Sequence, residues 1–154
     1  MSYGRLDFAE QWGRMNDTIM ALVDYIPADK VNWSPREDLW NFRGILAHII
    51  MVRHNWLGNV VRDGDDYDVA GVLARLGTPD EVKEALKESW ERVERFLSDQ
   101  TKLDAMHEGH GGPDDLLSGH WVAYHLLEHD LHHRSDIFHY LALLEIEHPE
   151  IGTP

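Results

Sequence analysis

Cysteine is absent from the 154 residues of this chain, and positive charge is scarce. Without cysteine the protein can have no disulfide, no thiolate metal ligand and no cysteine nucleophile. The chain carries 28 acidic residues against 14 basic ones, a formal net charge of -14, and such a surface repels nucleic acid and anionic lipid. We therefore expect neither nucleic acid nor a membrane among its partners.

Long apolar runs are missing as well. No stretch approaches the ~18 apolar residues of a membrane-spanning helix, and the segment MSYGRLDFAEQWGR lacks the basic and apolar regions of a signal peptide. Hydrophobic residues still make up 43% of the chain, which is ordinary for a globular protein. These features predict one domain over residues 1–154, located in the cytoplasm.

Helical periodicity is the main pattern that is present. Apolar residues recur at three- and four-residue spacing in four segments, which predicts helices over about 5–26, 41–62, 79–100 and 118–145. Asn41 is a suitable N-cap for the second helix, and Thr78, Pro79 and Glu81 form the start signature of the third. No alternation typical of β-strands stands out. Four long helices in a chain of this size predict an all-α four-helix bundle.

The last predicted helix is unusually rich in histidine. The stretch HLLEHDLHHRSDIFH contains five imidazoles in fifteen residues. Because an α-helix turns about 100° per residue, four of them border the apolar face instead of lying opposite it. These four are His125, His129, His132 and His133.

Such an arrangement favours a metal site over surface decoration. Two histidines four residues apart can reach one metal ion, but zinc-type sites use three or four protein ligands. The third ligand must then come from another helix. We expect His48 to supply it, because His48 lies in the middle of the second predicted helix among apolar residues.

A calcium loop is a poorer interpretation of the acidic segment DGDDYDVAGVLARLG. Asp66, Asp68 and Gly71 match positions 1, 3 and 6 of an EF-hand. Ala70 and Gly77, however, stand where a ligand and a glutamate are needed. A solvated acidic loop explains the segment better.

Two further metal motifs also fail. HLLEH matches the inverted zinc-protease motif, with His125 and His129 as ligands and Glu128 as the base. That mechanism needs a downstream glutamate ligand and a cleft for a peptide, and neither is evident. A ferritin-like di-iron centre needs two E-x-x-H motifs on helices, and Glu145 to His148 lies at the tail of the fourth helix.

Over nearly its whole length the chain resembles the DinB/YfiT-like family of metal-binding four-helix bundles. The segment IPADKVNWSPREDLWNFRGILAHI, residues 26–49, is similar to the family's linker and second helix. The segment LLEHDLHHRSDIFHYLALLEI, residues 126–146, is similar to its fourth helix with an H-x-x-H-H cluster. Ser135 stands where the family commonly has glycine, a departure that involves no ligand.

Carried over residue by residue, the resemblance implies His48, His129 and His133 as the metal ligands. His132 would then be a neighbour that does not bind the metal. The implied cofactor is a divalent metal ion, zinc or nickel most often, with water at the remaining positions. Imidazole alone does not select among zinc, nickel, copper and iron.

The resemblance also implies two classes of function. One is a metal-dependent enzyme: an S-transferase or isomerase that uses a low-molecular-weight thiol such as bacillithiol or mycothiol, or a hydrolase. The alternative is a non-catalytic metal- or small-molecule-binding protein. A plain helical protein whose histidines bind nothing is the third possibility.

Several residues around the site are candidates for supporting roles. His132 and Asp136 are the catalytic candidates, for orienting a ligand or transferring a proton. Asn16 and Asn55 are candidates to line the pocket, with a polar core contact and an exposed helix position as their alternatives. Homodimers are common in the family, and the back of the fourth helix offers either a subunit interface or ordinary packing. The residues on that back face are Leu127, Leu131 and Phe138.

Overall fold

The computed structural model describes residues 7–149, and these fold mostly as helices, which confirms the all-α prediction. Six α-helices and two strands are labelled here in chain order within that range. They are α1 (Phe8–Val23), α2 (Phe42–Asn55), α3 (Val69–Ala74), α4 (Pro79–Leu97), α5 (Gln100–Asp104), β1 (Met106–Glu108), β2 (Leu116–Ser118) and α6 (Gly119–Leu143). A 3₁₀ turn covers Ala28–Lys30, and a π-helical segment, Trp56–Val61, continues α2.

The helix starts follow the side chains that cap them. The Asn41 side chain accepts a hydrogen bond from the backbone N–H of Gly44, as expected for the N-cap of α2. Thr78 and Glu81 form the complete capping box predicted for α4. Ser118 caps α6, at the residue where the fourth predicted helix begins.

Some boundaries differ from the sequence prediction. The third predicted helix ends at Leu97, where Ser98 closes α4 and the Asp99 side chain caps the short helix α5. The regular part of the second ends at Asn55, and its π-helical continuation stops where Arg62 adopts a left-handed φ of 55°. Residues 5 and 6 of the first predicted helix lie outside the described residues.

A small antiparallel hairpin corrects the expectation that the chain has no strands. β1 pairs with β2, and Met106 lies opposite Ser118. Each strand has three residues, too few for an alternating pattern to be visible in the sequence.

The four long helices pack against one another around one hydrophobic cluster. α1 contacts α4 and α6, and α2 contacts the same two helices. Between residues 7 and 149, every helix is too short or too polar to span a membrane. The largest fully buried apolar side chains are Trp12, Ile19, Leu22, Phe42, Ile45, Ile49, Ile50, Leu57, Leu86, Leu126 and Ile137.

Candidate metal centre

The contact between α2 and α6 brings three histidines together. His48 lies in the middle of α2, and His129 and His133 lie one turn apart in α6. Each offers one ring nitrogen, and these nitrogens all lie within 4.8 Å of one another. The ring centroids are 4.7 Å apart for His48 and His129, and 4.5 Å apart for His129 and His133. The structure thus assembles the three residues that the sequence singled out.

The surroundings favour the neutral form of two of these rings, His48 and His133. Burial, followed by the neighbouring His129 and His133, lowers the pKa of His48 to about 4. Burial and His129 also lower the pKa of His133, although Asp136 acts in the opposite direction. Neutral imidazole is the form that binds a metal, so these lowered pKa values keep His48 and His133 in the state that a divalent ion requires.

The hydrogen bonding leaves nitrogens free for such an ion. The Nδ1 atom of His133 lies 3.0 Å from Oδ2 of Asp136, so Asp136 accepts a hydrogen bond from that ring. Both ring nitrogens of His129 and Nδ1 of His48 are buried without a hydrogen-bond partner. Unpaired buried polar atoms are costly, and a metal ion is one way to satisfy them. The donor set and its unpaired nitrogens therefore fit a divalent metal.

His132 and Asp136, the two catalytic candidates, have different surroundings. The side chain of Asp136 is 34% exposed and reaches His133, whereas that of His132 is 70% exposed. His132, His133 and Asp136 also form a second group with the spacing of metal ligands, but it lies along one exposed side of a single helix. We favour the first group because it draws on two helices and is more buried.

His125 is not part of the group of three histidines, and its ring belongs to an aromatic cluster. Its ring stacks on Trp121 with 5.1 Å between centroids and lies 4.6 Å from Trp56. Burial lowers the pKa of His125. Glu128, the base of the rejected protease motif, is exposed to solvent.

The two asparagines proposed for the pocket are placed differently. Asn16 is buried, and its Oδ1 accepts a hydrogen bond from Nη1 of Arg53 at 2.9 Å, so its role is a polar core contact. Asn55 is half-buried at the end of α2, about two turns beyond His48.

The acidic loop serves to build the fold. Asp68 caps α3 through the N–H of Gly71, and Asp65 pairs with Arg95. Asp65, Asp66 and Asp68 are exposed, in agreement with the solvated acidic loop expected from the sequence. The second half of the segment differs from that expectation, because Val69–Ala74 form the short helix α3.

A buried ion pair beside the centre was missed by sequence reasoning. The Arg53 guanidinium contacts Oδ2 of Asp130 at 2.8 Å and 3.0 Å, and both side chains are fully buried. The indole N–H of Trp12 donates to the same oxygen at 2.9 Å. Burial alone would raise the pKa of the Asp130 carboxyl, but the Arg53 charge and these hydrogen bonds lower it.

This ion pair lies next to the candidate metal centre. The second oxygen of Asp130, Oδ1, has no hydrogen-bond partner and lies 3.9 Å from Nδ1 of His129. The signal in the sequence is an acid on the apolar side of α6, because helical geometry places Asp130 within about 40° of Leu126 and Ile137. Arg53 likewise lies four residues after Ile49 and three after Ile50, both buried, and therefore on the same face of α2.

Trp40 covers one side of the three histidines. Its ring lies edge-on to His48, with 4.0 Å between centroids, and stacks on His133 at 5.7 Å and an interplanar angle of 18°. The hydroxyl of Tyr140 donates to the carbonyl of Trp40 at 3.0 Å, which ties this residue to α6. The Trp40 side chain nevertheless remains 48% exposed.

A second buried histidine is explained by local structure. His54 stacks on Tyr67, and its Nδ1 accepts a hydrogen bond from Arg92 at 3.1 Å. Burial and the Arg92 charge lower the pKa of His54 to about 3. Arg92 is in turn held by both oxygens of Asp63, so the group secures the start of the acidic loop.

Solved structures of two bacterial proteins share this fold. A DinB-like protein of Bacillus subtilis, YjoA, has 17% sequence identity and a TM-score of 0.67, with 94% of this chain and 95% of that chain covered. A DinB-like protein of Bacillus cereus has 11% identity and a TM-score of 0.69, with the same coverage. At such low identity the likeness establishes the fold alone. None of the curated proteins matches the chain.

The sequence profile of the DinB superfamily matches residues 11–137, a span that includes α2, its linker and most of α6. The three clustered histidines lie within that span. The chain belongs to the DinB superfamily.

Proposed function

We propose that His48, His129 and His133 bind one divalent metal ion, zinc or nickel, and that the protein is a metal-dependent enzyme acting on a small molecule. The observation that carries this proposal is the convergence of three imidazoles, from two helices, with one ring nitrogen of each within 4.8 Å of the others. Three protein ligands leave a coordination position open, as in catalytic sites, whereas structural zinc sites usually have four.

The reaction class we propose is a thiol-dependent S-transferase or isomerase, or a hydrolase. When bound, a divalent ion supplies Lewis-acid chemistry, which lowers the pKa of water or a thiol that it contacts. The protein residues would hold the metal ion and orient the imidazoles that bind it. Asp136 fixes the ring of His133 through Nδ1, and His132 on the solvent side is placed to exchange protons with water.

The alternative is a protein that binds a metal or a small molecule without catalysis. A fourth protein ligand would favour it. Among the described residues, the group that includes His48 contains three potential ligands. We therefore place the enzyme first.

Three further expectations complete the proposal. We propose that α1, α2, α4 and α6 form the family's four-helix bundle as one domain in the cytoplasm. We also propose a homodimer. Two exposed side chains on the back face of α6 support it: Leu131 is 38% exposed and Tyr124 is 59% exposed. Tyr124 lies seven residues before Leu131 and therefore on the same side of the helix.

Elemental analysis of protein purified without a histidine tag tests the metal site. We expect zinc or nickel near one equivalent in the wild type. Each of the substitutions His48→Ala, His129→Ala and His133→Ala should lower metal affinity about tenfold or more, since one of three ligands is lost. The matched controls are His125→Ala and His132→Ala, which should retain the metal.

Two results would contradict the assignment. An equal loss of metal in the control variants would mean that the wrong rings are assigned. Wild-type protein that takes up neither zinc nor nickel would exclude a metal-dependent function.

A further inference from the structure

A pocket of about 360 Å³ opens beside His48, a volume in the range of small-molecule sites. The linker, α2 and α3 form its walls. Its lining residues are Leu39, Trp40, Asn41, Gly44, Ala47, His48, Met51 and Leu73.

The lining of this pocket is uncharged and mostly apolar. It contains no lysine, arginine, aspartate or glutamate. Asn41 is its main neutral polar side chain, and the Oδ1 of Asn41 is already occupied by the N–H of Gly44 at 2.8 Å. A pocket on α4, by contrast, is lined by Glu81, Glu84, Glu88 and Arg75. A charged ligand group that packs against these side chains would lose water and find no ion-pair partner among them, so the lining favours an uncharged group.

Trp40 joins this pocket to the histidine centre. The ring contacts both His48 and His133, and its backbone is held by Tyr140. Because the ring is also 48% exposed, part of its surface is open to a ligand. A flat aromatic group can pack on such a surface while a polar end of the same molecule reaches the histidines.

We infer that this pocket is a substrate subsite, and that it takes an uncharged apolar group, an aryl ring or a branched aliphatic chain. The inference rests on the proposed metal site, because the polar end of the substrate must bind there. It narrows the substrate to molecules whose apolar part lies next to the group that contacts the metal. We expect an anionic moiety such as a carboxylate to bind this subsite more weakly, because its lining has no cationic side chain.

Three hydroxamic acids test the inference on zinc-loaded protein, because hydroxamates bind zinc through the same end and differ in the attached group. Acetohydroxamic acid carries a methyl group, benzohydroxamic acid a phenyl ring and 4-carboxybenzohydroxamic acid a charged ring. By calorimetry we expect benzohydroxamic acid to bind at least about tenfold more tightly than acetohydroxamic acid. The carboxylate of 4-carboxybenzohydroxamic acid should abolish most of the affinity that the phenyl ring adds.

Two variants test whether the higher affinity for the phenyl compound comes from this pocket. Leu73→Gln and Met51→Gln each make the lining polar, and both should reduce the preference for the phenyl compound about threefold or more while zinc affinity stays unchanged. Leu143→Gln is the matched control, since Leu143 is 64% exposed and lies outside the lining. Two variants at separate positions are used so that misfolding of one does not leave the question open.

The outcomes separate the two proposals. Zinc binding without a phenyl preference, or with equal affinity for the charged ring, would overturn the subsite and leave the metal centre standing. An unchanged preference for the phenyl compound in both Leu73→Gln and Met51→Gln would also overturn the subsite and leave the metal centre standing. Failure of the wild type to bind either zinc or nickel would overturn the proposed function, and the subsite with it.

Discussion

At the scale of single residues, the candidate centre contains a carboxylate that orients one of its imidazoles. Asp136 accepts a hydrogen bond from Nδ1 of His133, which directs the other nitrogen away from the carboxylate. Sequence reasoning identified Asp136 from its place on the helix. Trp40 and Asp130 also adjoin the centre, and their contacts appear only in three dimensions.

Replacing Asp136 with asparagine tests this orienting role. Asp136→Asn keeps the size of the side chain but removes the negative charge, so the hydrogen bond to His133 weakens. We expect zinc affinity to fall about tenfold, the lower end of the range for such partners. Competition with a chelating dye measures it. Asp17→Asn is the control, because it removes the same charge from an exposed position on α1. Equal zinc affinity in both variants would show that Asp136 does not support the site.

At the scale of elements, α6 presents two different faces. One carries the clustered histidines towards α2. On the other, Phe138 is buried, with 3% exposure, and Leu127 packs against the core. Phe138 therefore does not lie at a subunit interface, which corrects that part of the interface expectation. Tyr124 and Leu131 remain exposed, and they define the surface proposed for the dimer.

The proposed dimer predicts a specific effect of charge on this surface. In a two-fold symmetric interface the same residues meet their own copies, so introduced glutamates repel one another. We expect the double substitution Tyr124→Glu with Leu131→Glu to weaken dimerisation at least about tenfold, as measured by sedimentation equilibrium. Leu143→Glu, at the exposed end of α6, should leave it unchanged. Monomeric wild-type protein would contradict the proposal.

At the scale of the whole molecule, the buried Arg53–Asp130 pair connects all four long helices. Arg53 of α2 contacts Asp130 of α6, Asn16 of α1 and Ser89 of α4. A charge pair in such a position need not add stability, since burying both ions is costly. Breaking it leaves one charge unpaired, and that is strongly destabilising.

Urea denaturation of Asp130→Asn tests this connection. We expect the free energy of unfolding to fall by about 3–5 kcal/mol, because Arg53 keeps its buried charge without a carboxylate. Ser89→Ala removes one neutral acceptor from the same network and should cost about 1 kcal/mol. Replacing both charges, with Arg53→Met and Asp130→Leu together, should recover part of the loss, because no buried charge remains while Trp12 and Asn16 lose their hydrogen-bond partners. A loss in Asp130→Asn no larger than that in Ser89→Ala would contradict the argument.

The sequence alone determined the features that depend on local spacing. Apolar residues at three- and four-residue intervals predicted the long helices, and Asn41 and Thr78 marked two of their starts, because a cap acts within a few residues of itself. The angular position of His129 and His133 on one helix follows from the same geometry. Together with the family resemblance, that geometry identified His48 as their partner.

Tertiary structure decided the other contacts that join distant segments. Only packing places Trp40 against His48 and His133, and pairs Arg53 with Asp130 across 77 residues of sequence. It also decides that His125 stacks on Trp121 and that Phe138 is buried. The physical reason is that the burial and pairing of a side chain depend on the side chains of the neighbouring helix. The sequence of one helix does not specify which side chains those are.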